Sequence, residues 1–413
     1  MHRVAVGGDA IVVAHRNYEH VVGWERGYRL AGGYRQRRPA WSEPGADAVS
    51  HRAGSAFLSM RSTTDLSDAS NSPFKRSIAK LSPAYFALVM ATGIVSIASQ
   101  AMGYSSVAWT LLCINVAAYS ILWALNIFRA LAYPSSLLGD LLNHRQGVGF
   151  FTAVAATCVL GSQFQLIAEL RSVAVLLWWL GGALWFVLTY TIFTSNVIRE
   201  TKPPLAEALH GGWLISVVAT QSVSVLGALL AEGFGVYREE TLFFALTMWL
   251  GGGMLYIWII SLIFYRYAFL PMSASDLSPP YWINMGAMAI STLAGVNLVA
   301  AADGTVLLSE LVPFLKGFTL FFWATATWWI PMLVTLGVWR HIYRRYPLAY
   351  DPQYWGLVFP LGMYTTCTYR MMTVFDLPFL KLIPSGFYWI ALTVWCITFV
   401  GMLRRIISLT RSS

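Results

Sequence analysis

Residues 357–372 read LVFPLGMYTTCTYRMM. The run is apolar enough to sit in a bilayer, yet it carries a proline, a glycine, three threonines and an arginine. A helix tolerates such residues in hydrocarbon where neighbouring helices or trapped water satisfy the freed polar groups. At 100° per residue, Phe359, Gly362, Met363, Thr366 and Arg370 fall at i, i+3, i+4, i+7 and i+11 and share one face. Pro360 withdraws an amide donor and crowds the preceding turn, so a kink is expected at Pro360 and Gly362. A guanidinium inside a span usually faces the bundle interior or a wet cavity. Arg370 is therefore a candidate anion attractor, with snorkelling to the nearby interface as the competing reading.

The stretch belongs to one of ten long apolar runs in the chain. Of 413 residues, 57% are hydrophobic and only 11% are charged, a balance that excludes an ordinary soluble domain. A bilayer core of about 30 Å needs roughly 20 mostly apolar residues per helix. Ten runs meet that need, at 83–103, 106–129, 147–169, 173–194, 211–231, 240–265, 281–301, 311–339, 354–375 and 386–406. The expected fold class is an all-α integral membrane protein with ten transmembrane helices. Its expected parts are a disordered basic tail over 1–80, a transmembrane domain over 81–408 and a short tail over 409–413. Met60 begins a polar stretch that could equally be the native start, which would make residues 1–59 an upstream extension.

The net charge of +9 reports orientation rather than a nucleic-acid partner. Connections after even-numbered spans and the C-terminus hold Arg129, Arg145, Arg199, Lys202, Arg266, Arg340, Arg344, Arg345, Arg404, Arg405 and Arg411, against Arg171, Arg238 and Lys381 after odd-numbered ones. The positive-inside rule then puts both termini in the cytoplasm of a multi-pass plasma-membrane protein. The four cysteines have no ligand spacing and no enzyme signature appears, so neither a metal, a cofactor nor catalysis is expected. No Asp or Glu lies central in a span; His144 and His210 stand near helix starts and read as solvated or capping residues.

Residue types alternate between spans. Even-numbered spans carry tryptophan, including Trp123, Trp178, Trp185, Trp249, Trp323 and Trp395, whereas odd-numbered spans carry small and hydroxylated residues at helical spacing. Thr92 and Ser96, Thr152, Ser216 and Thr220, Ser291, and Thr366 mark these stripes. Such stripes serve either close helix packing or the lining of a polar path. Their recurrence on alternate helices favours five hairpins, odd helices inside and even helices outside, around a central path.

The segments SPAYFALVMATGIVSIA at 82–98, FFTAVAATCVLGSQF at 150–164 and WGLVFPLGMYTTCTYRM at 355–371 resemble the tellurite-resistance/C4-dicarboxylate transporter family, which includes slow-type anion channels, malate carriers and sulfite exporters. The resemblance spans about residues 80–408 and implies five tandem hairpins around a quasi-fivefold pore, with three subunits side by side as a homotrimer. In that family a phenylalanine of the ninth helix occludes the pore, and Phe359 matches it, with Pro360 and Gly362 beside it. The implied function is transport of malate, sulfite, tellurite, chloride or nitrate as a channel or exporter, with membrane lipid as the other partner. A proton-coupled carrier of the same fold and a non-transporting scaffold or sensor are the alternatives.

Overall fold

The structure is a computed structural model that describes residues 78–79 and 81–411, all within one compact unit, Ser62–Ser413. The expected tail over 1–80 and its start at Met60 therefore lie almost wholly outside the described residues. The described residues form helices joined by short links and contain no strand.

Ten long helices alternate in length. The odd-numbered ones are short: α1 Ala87–Ala101, α3 Phe151–Leu166, α5 Ile215–Leu230, α7 Ile283–Ala300 and α9 Trp355–Val374. The even-numbered ones run 28 to 33 residues: α2 Ser105–Ala132, α4 Arg171–Ile198, α6 Arg238–Phe269, α8 Val306–Val338 and α10 Leu382–Arg411. These outrun the apolar segments, most clearly where 311–339 becomes Val306–Val338 followed by a π turn, Trp339–Tyr343. Backbone hydrogen bonding continues past the point where side chains turn polar, so hydropathy underestimates the helix. By length and hydropathy eight helical segments qualify as membrane spans, one of them joining α5 and α6 over Gly211–Phe269. The polar residues of α9 keep it out of that set.

Each odd helix opens on a 3₁₀ turn: Pro83–Phe86, Gly147–Phe150, Gly211–Leu214, Pro279–Trp282 and Pro352–Tyr354. Proline at the start of three of these turns has a preset φ and leaves no amide unsatisfied. The odd helices pack in a closed cycle, α1 on α3, α3 on α5, α5 on α7, α7 on α9 and α9 back on α1. Each even helix packs outside its hairpin partner. In the most apolar windows, 72% to 94% of residues are buried around α1, α3 and α7, against 22% to 28% in α2, α4, α8 and α10.

Aromatic donors bind the outer layer to the inner one in a repeated way. Trp395 of α10 donates to the Thr92 hydroxyl of α1 at 3.0 Å, Trp185 of α4 to Thr220 of α5 at 2.8 Å, and Trp323 of α8 to Thr368 of α9 at 3.0 Å. Trp249 of α6 donates to the Ser291 carbonyl of α7 at 2.8 Å, and the Tyr119 and Thr157 hydroxyls join α2 to α3 at 2.9 Å. Every outer helix thus reaches the inner helix of the next hairpin through at least one aromatic polar group.

Arginines add a link within hairpins. Arg129 at the end of α2 donates to the Leu81 carbonyl, Arg266 at the end of α6 to that of Leu209, and Arg340, just past α8, to that of Leu277. All three carbonyls stand two residues before a 3₁₀ turn, and the three arginines are buried. Arg129 also pairs with Asp140, which neutralises a side chain fully removed from solvent.

α9 remains helical through Pro360, so no break marks the expected kink. Its neighbours leave room for the proline ring. A Cβ on Gly286 of α7 would stand 2.7 Å from Pro360 Cγ, and one on Gly362 would stand 2.9 Å from Ile94 of α1. Overpacking at such a contact costs about 1–3 kcal/mol. Gly286→Ala is accordingly expected to lower the melting temperature in detergent, while Gly182→Ala on α4, where a Cβ meets nothing within 4 Å, leaves it unchanged or higher. Thermal unfolding of the two variants against the parent checks the pair.

Candidate functional site

The inner helices run in one direction, because their opening turns border one cavity and their closing turns another. The first, of about 710 Å³, touches Pro83, Gly149, Gly212, Pro280 and Gln353, together with Arg145, His210 and Arg266. Helix N-termini carry partial positive charge, so this basic end favours anions before any side chain is counted. Glu207 and Asp276 also line it, and hydrogen bonds from Ser273 hold the Asp276 carboxyl below its ordinary range.

The second cavity, of about 260 Å³, receives residues from all five inner helices: Ile94 and Gln100 from α1, Val159 and Ser162 from α3, Ser222 from α5, Ile290 and Asn297 from α7, and Met363, Thr366 and Arg370 from α9. Among the described residues that line it, Arg370 alone is charged. The guanidinium is partly exposed and has no hydrogen bond or ion pair with any described residue.

One turn back from Ile94, Val159, Ser222, Ile290 and Met363 stand Met90, Ala155, Val218, Gly286 and Phe359, every one buried. This layer separates the two cavities along the helices. Phe359 is its bulkiest member and is only 1% exposed.

A family profile described as SLAC1, voltage-dependent anion channel, matches residues 80–403. The chain belongs to that family. An uncharacterized transporter of Methanocaldococcus jannaschii is 24% identical over 336 residues, 78% of this chain and 94% of that protein. A sulfite efflux pump of Trichophyton rubrum is 22% identical over 344 residues, 78% and 90% of the two chains. An uncharacterized membrane protein of Mycobacterium tuberculosis is 42% identical over 154 residues, 37% of this chain and 77% of its own. Family and relatives together support anion transport by a membrane protein of many apolar helices.

Within this SLAC1-family fold, Thr366 and Arg370 share the wall of the inner cavity, and Phe359 lies one turn before Met363 on the same helix. Most of the hydroxyl residues expected along a path stand elsewhere. Thr92 and Thr220 accept from the tryptophans of outer helices, and Ser96 donates to the Ala108 carbonyl of α2 at 2.7 Å. Thr152 bonds the Pro83 carbonyl at 3.0 Å, Ser216 that of Trp213 at 2.8 Å and Ser291 that of Ala287 at 2.7 Å. Thr92, Ser96, Thr152 and Thr220 are thus engaged by neighbouring elements, whereas Ser216 and Ser291 bond carbonyls of their own helical segments. Sequence reasoning passed over Asn297, Ser162 and Ser222, which line the cavity. Asn297 follows the lining residue Ile290 by seven positions, a spacing that could have found it.

His210 caps the turn before α5. Its Nδ1 accepts from the Gly212 amide at 3.1 Å and its Nε2 meets the Arg145 carbonyl at 3.0 Å. Burial, reinforced by the charges of Arg145 and Arg266, pushes its pKa down to about 4. The unfolded chain protonates His210 near pH 6.5. The resulting stabilisation is complete above that pH and is lost as pH falls towards about 4, by on the order of 2–3 kcal/mol. Melting temperatures between pH 7.5 and 4.5 should therefore drop more steeply for the parent than for His210→Asn.

Proposed function

We propose that the chain moves anions along the axis of its five inner helices, crossing the plasma membrane ten times with both termini and the basic end in the cytoplasm. Phe359 is the gate of this path, Pro360 and Gly362 bend the helix beside it, and Arg370 draws anions into the cavity beyond it. Thr366 contributes lining, while Thr92, Ser96 and Thr220 bind the outer helices. The observation that carries this reading is an arginine without a partner among the described residues, in the wall of a cavity that all five inner helices enclose. Polar positions around a narrow path replace part of an anion's hydration without holding it too tightly to leave.

The sulfite efflux pumps among the relatives support a small oxyanion such as sulfite as cargo, and the resemblance extends the class to malate. A homotrimer belongs to the same proposal. Proton-coupled carriage has less support, because among the described residues no Asp, Glu or His lines the cavity of Arg370.

Planar-bilayer currents test the gate. Removing the Phe359 ring in Phe359→Ala should raise anion conductance about tenfold or more, the change expected from lowering a barrier by about 1.4 kcal/mol. An unchanged conductance would sink the gate assignment. Arg370→Gln should lower the flux and move the reversal potential away from that of the anion; equal currents in this variant would remove the arginine from the pathway.

A further inference from the structure

We propose that Gln100 and Asn297 complete an anion seat with Arg370, in which amide N–H groups on both sides of the guanidinium hold a small oxyanion and set selectivity. This rests on the transport reading and names the site's ligand-binding residues.

The argument begins with helix direction. The cavity of Arg370 lies where the inner helices end, and helix C-termini present partial negative charge. An anion there needs donors that outweigh the carbonyls. The serine and threonine hydroxyls of the lining do not supply them. Ser162 donates to the Cys158 carbonyl at 3.0 Å, Ser222 to that of Ala219 at 2.7 Å and Thr366 to that of Gly362 at 3.0 Å, leaving only lone pairs for a ligand.

The amides are in a different state. Asn297 is 5% exposed and lines the cavity, and its side chain has no hydrogen bond to any described residue. Gln100 also lines the cavity, and its side-chain amide has no hydrogen bond to any described residue, so its Nε2 donors are uncommitted. A buried amide without a partner is costly in a folded chain unless something else satisfies it. Placement supplies the reason. α9 packs between α7 and α1 in the ring, so the helices that carry Asn297 and Gln100 flank the one that carries Arg370. All three residues fall in the last two turns of their helices. One cation with an amide on either side matches an oxyanion, whose several oxygens accept from separate donors, better than a monatomic halide.

Sulfite and chloride flux into proteoliposomes test the seat. Asn297→Leu and Gln100→Leu keep the approximate volume and remove the donors. Each should raise the half-saturating sulfite concentration about tenfold, as loss of a hydrogen bond to a charged ligand does, with a smaller change for chloride. Asn297→Asp keeps the shape, replaces donors with a negative charge and should abolish sulfite flux; it serves if the leucine variants do not fold. Parent-like half-saturation and parent-like sulfite-to-chloride ratio in the folded variants would overturn the seat while leaving transport intact. A parent protein that carries neither anion would overturn the transport reading and the seat with it.

Discussion

In hydrocarbon a polar group has no water to fall back on, and that constraint organises this molecule. The tryptophan indoles of the outer helices need acceptors, and the inner helices need their hydroxyls and stray carbonyls engaged. The bonds Trp395–Thr92, Trp185–Thr220 and Trp323–Thr368 meet both needs at once. Because each bond joins one hairpin to the next, it also sets the order of the ring. Neither layer satisfies its polar groups alone.

The same logic explains the buried arginines. Arg129, Arg266 and Arg340 bring charge to the basic end, but they do so as donors to carbonyls that the 3₁₀ turns leave without partners. The turns LSPAYF at 81–86 and LSPPYW at 277–282 occupy the same place in their hairpins and are nearly the same sequence. They are the plainest trace of an internal repeat, and their shared role becomes visible only with the arginines in position.

Electrostatically the two cavities are unlike. Helix N-termini, Arg145 and Arg266 surround the first cavity, whereas helix C-termini surround the second and Arg370 offsets them. Between them the layer of Met90, Ala155, Val218, Gly286 and Phe359 is apolar and closed to solvent.

Much of this was legible in residue type. Length and hydropathy mark ten runs, the Arg and Lys positions mark one side, and the alternation of tryptophan with hydroxyls separates outer from inner helices. The face shared by Phe359, Thr366 and Arg370 also follows from helical spacing. What those patterns could not reveal is which neighbour each stripe meets. A hydroxyl has the same periodicity whether it lines a cavity or accepts from an indole, so Thr92 and Thr220 read alike with Thr366 although only Thr366 borders the cavity. Periodicity fixes direction about one helix axis, and the sequence alone determined that much. The rotation of each helix against its neighbours was decided only in the tertiary structure, because close approaches such as Gly286 on Pro360 and bonds between distant segments choose it.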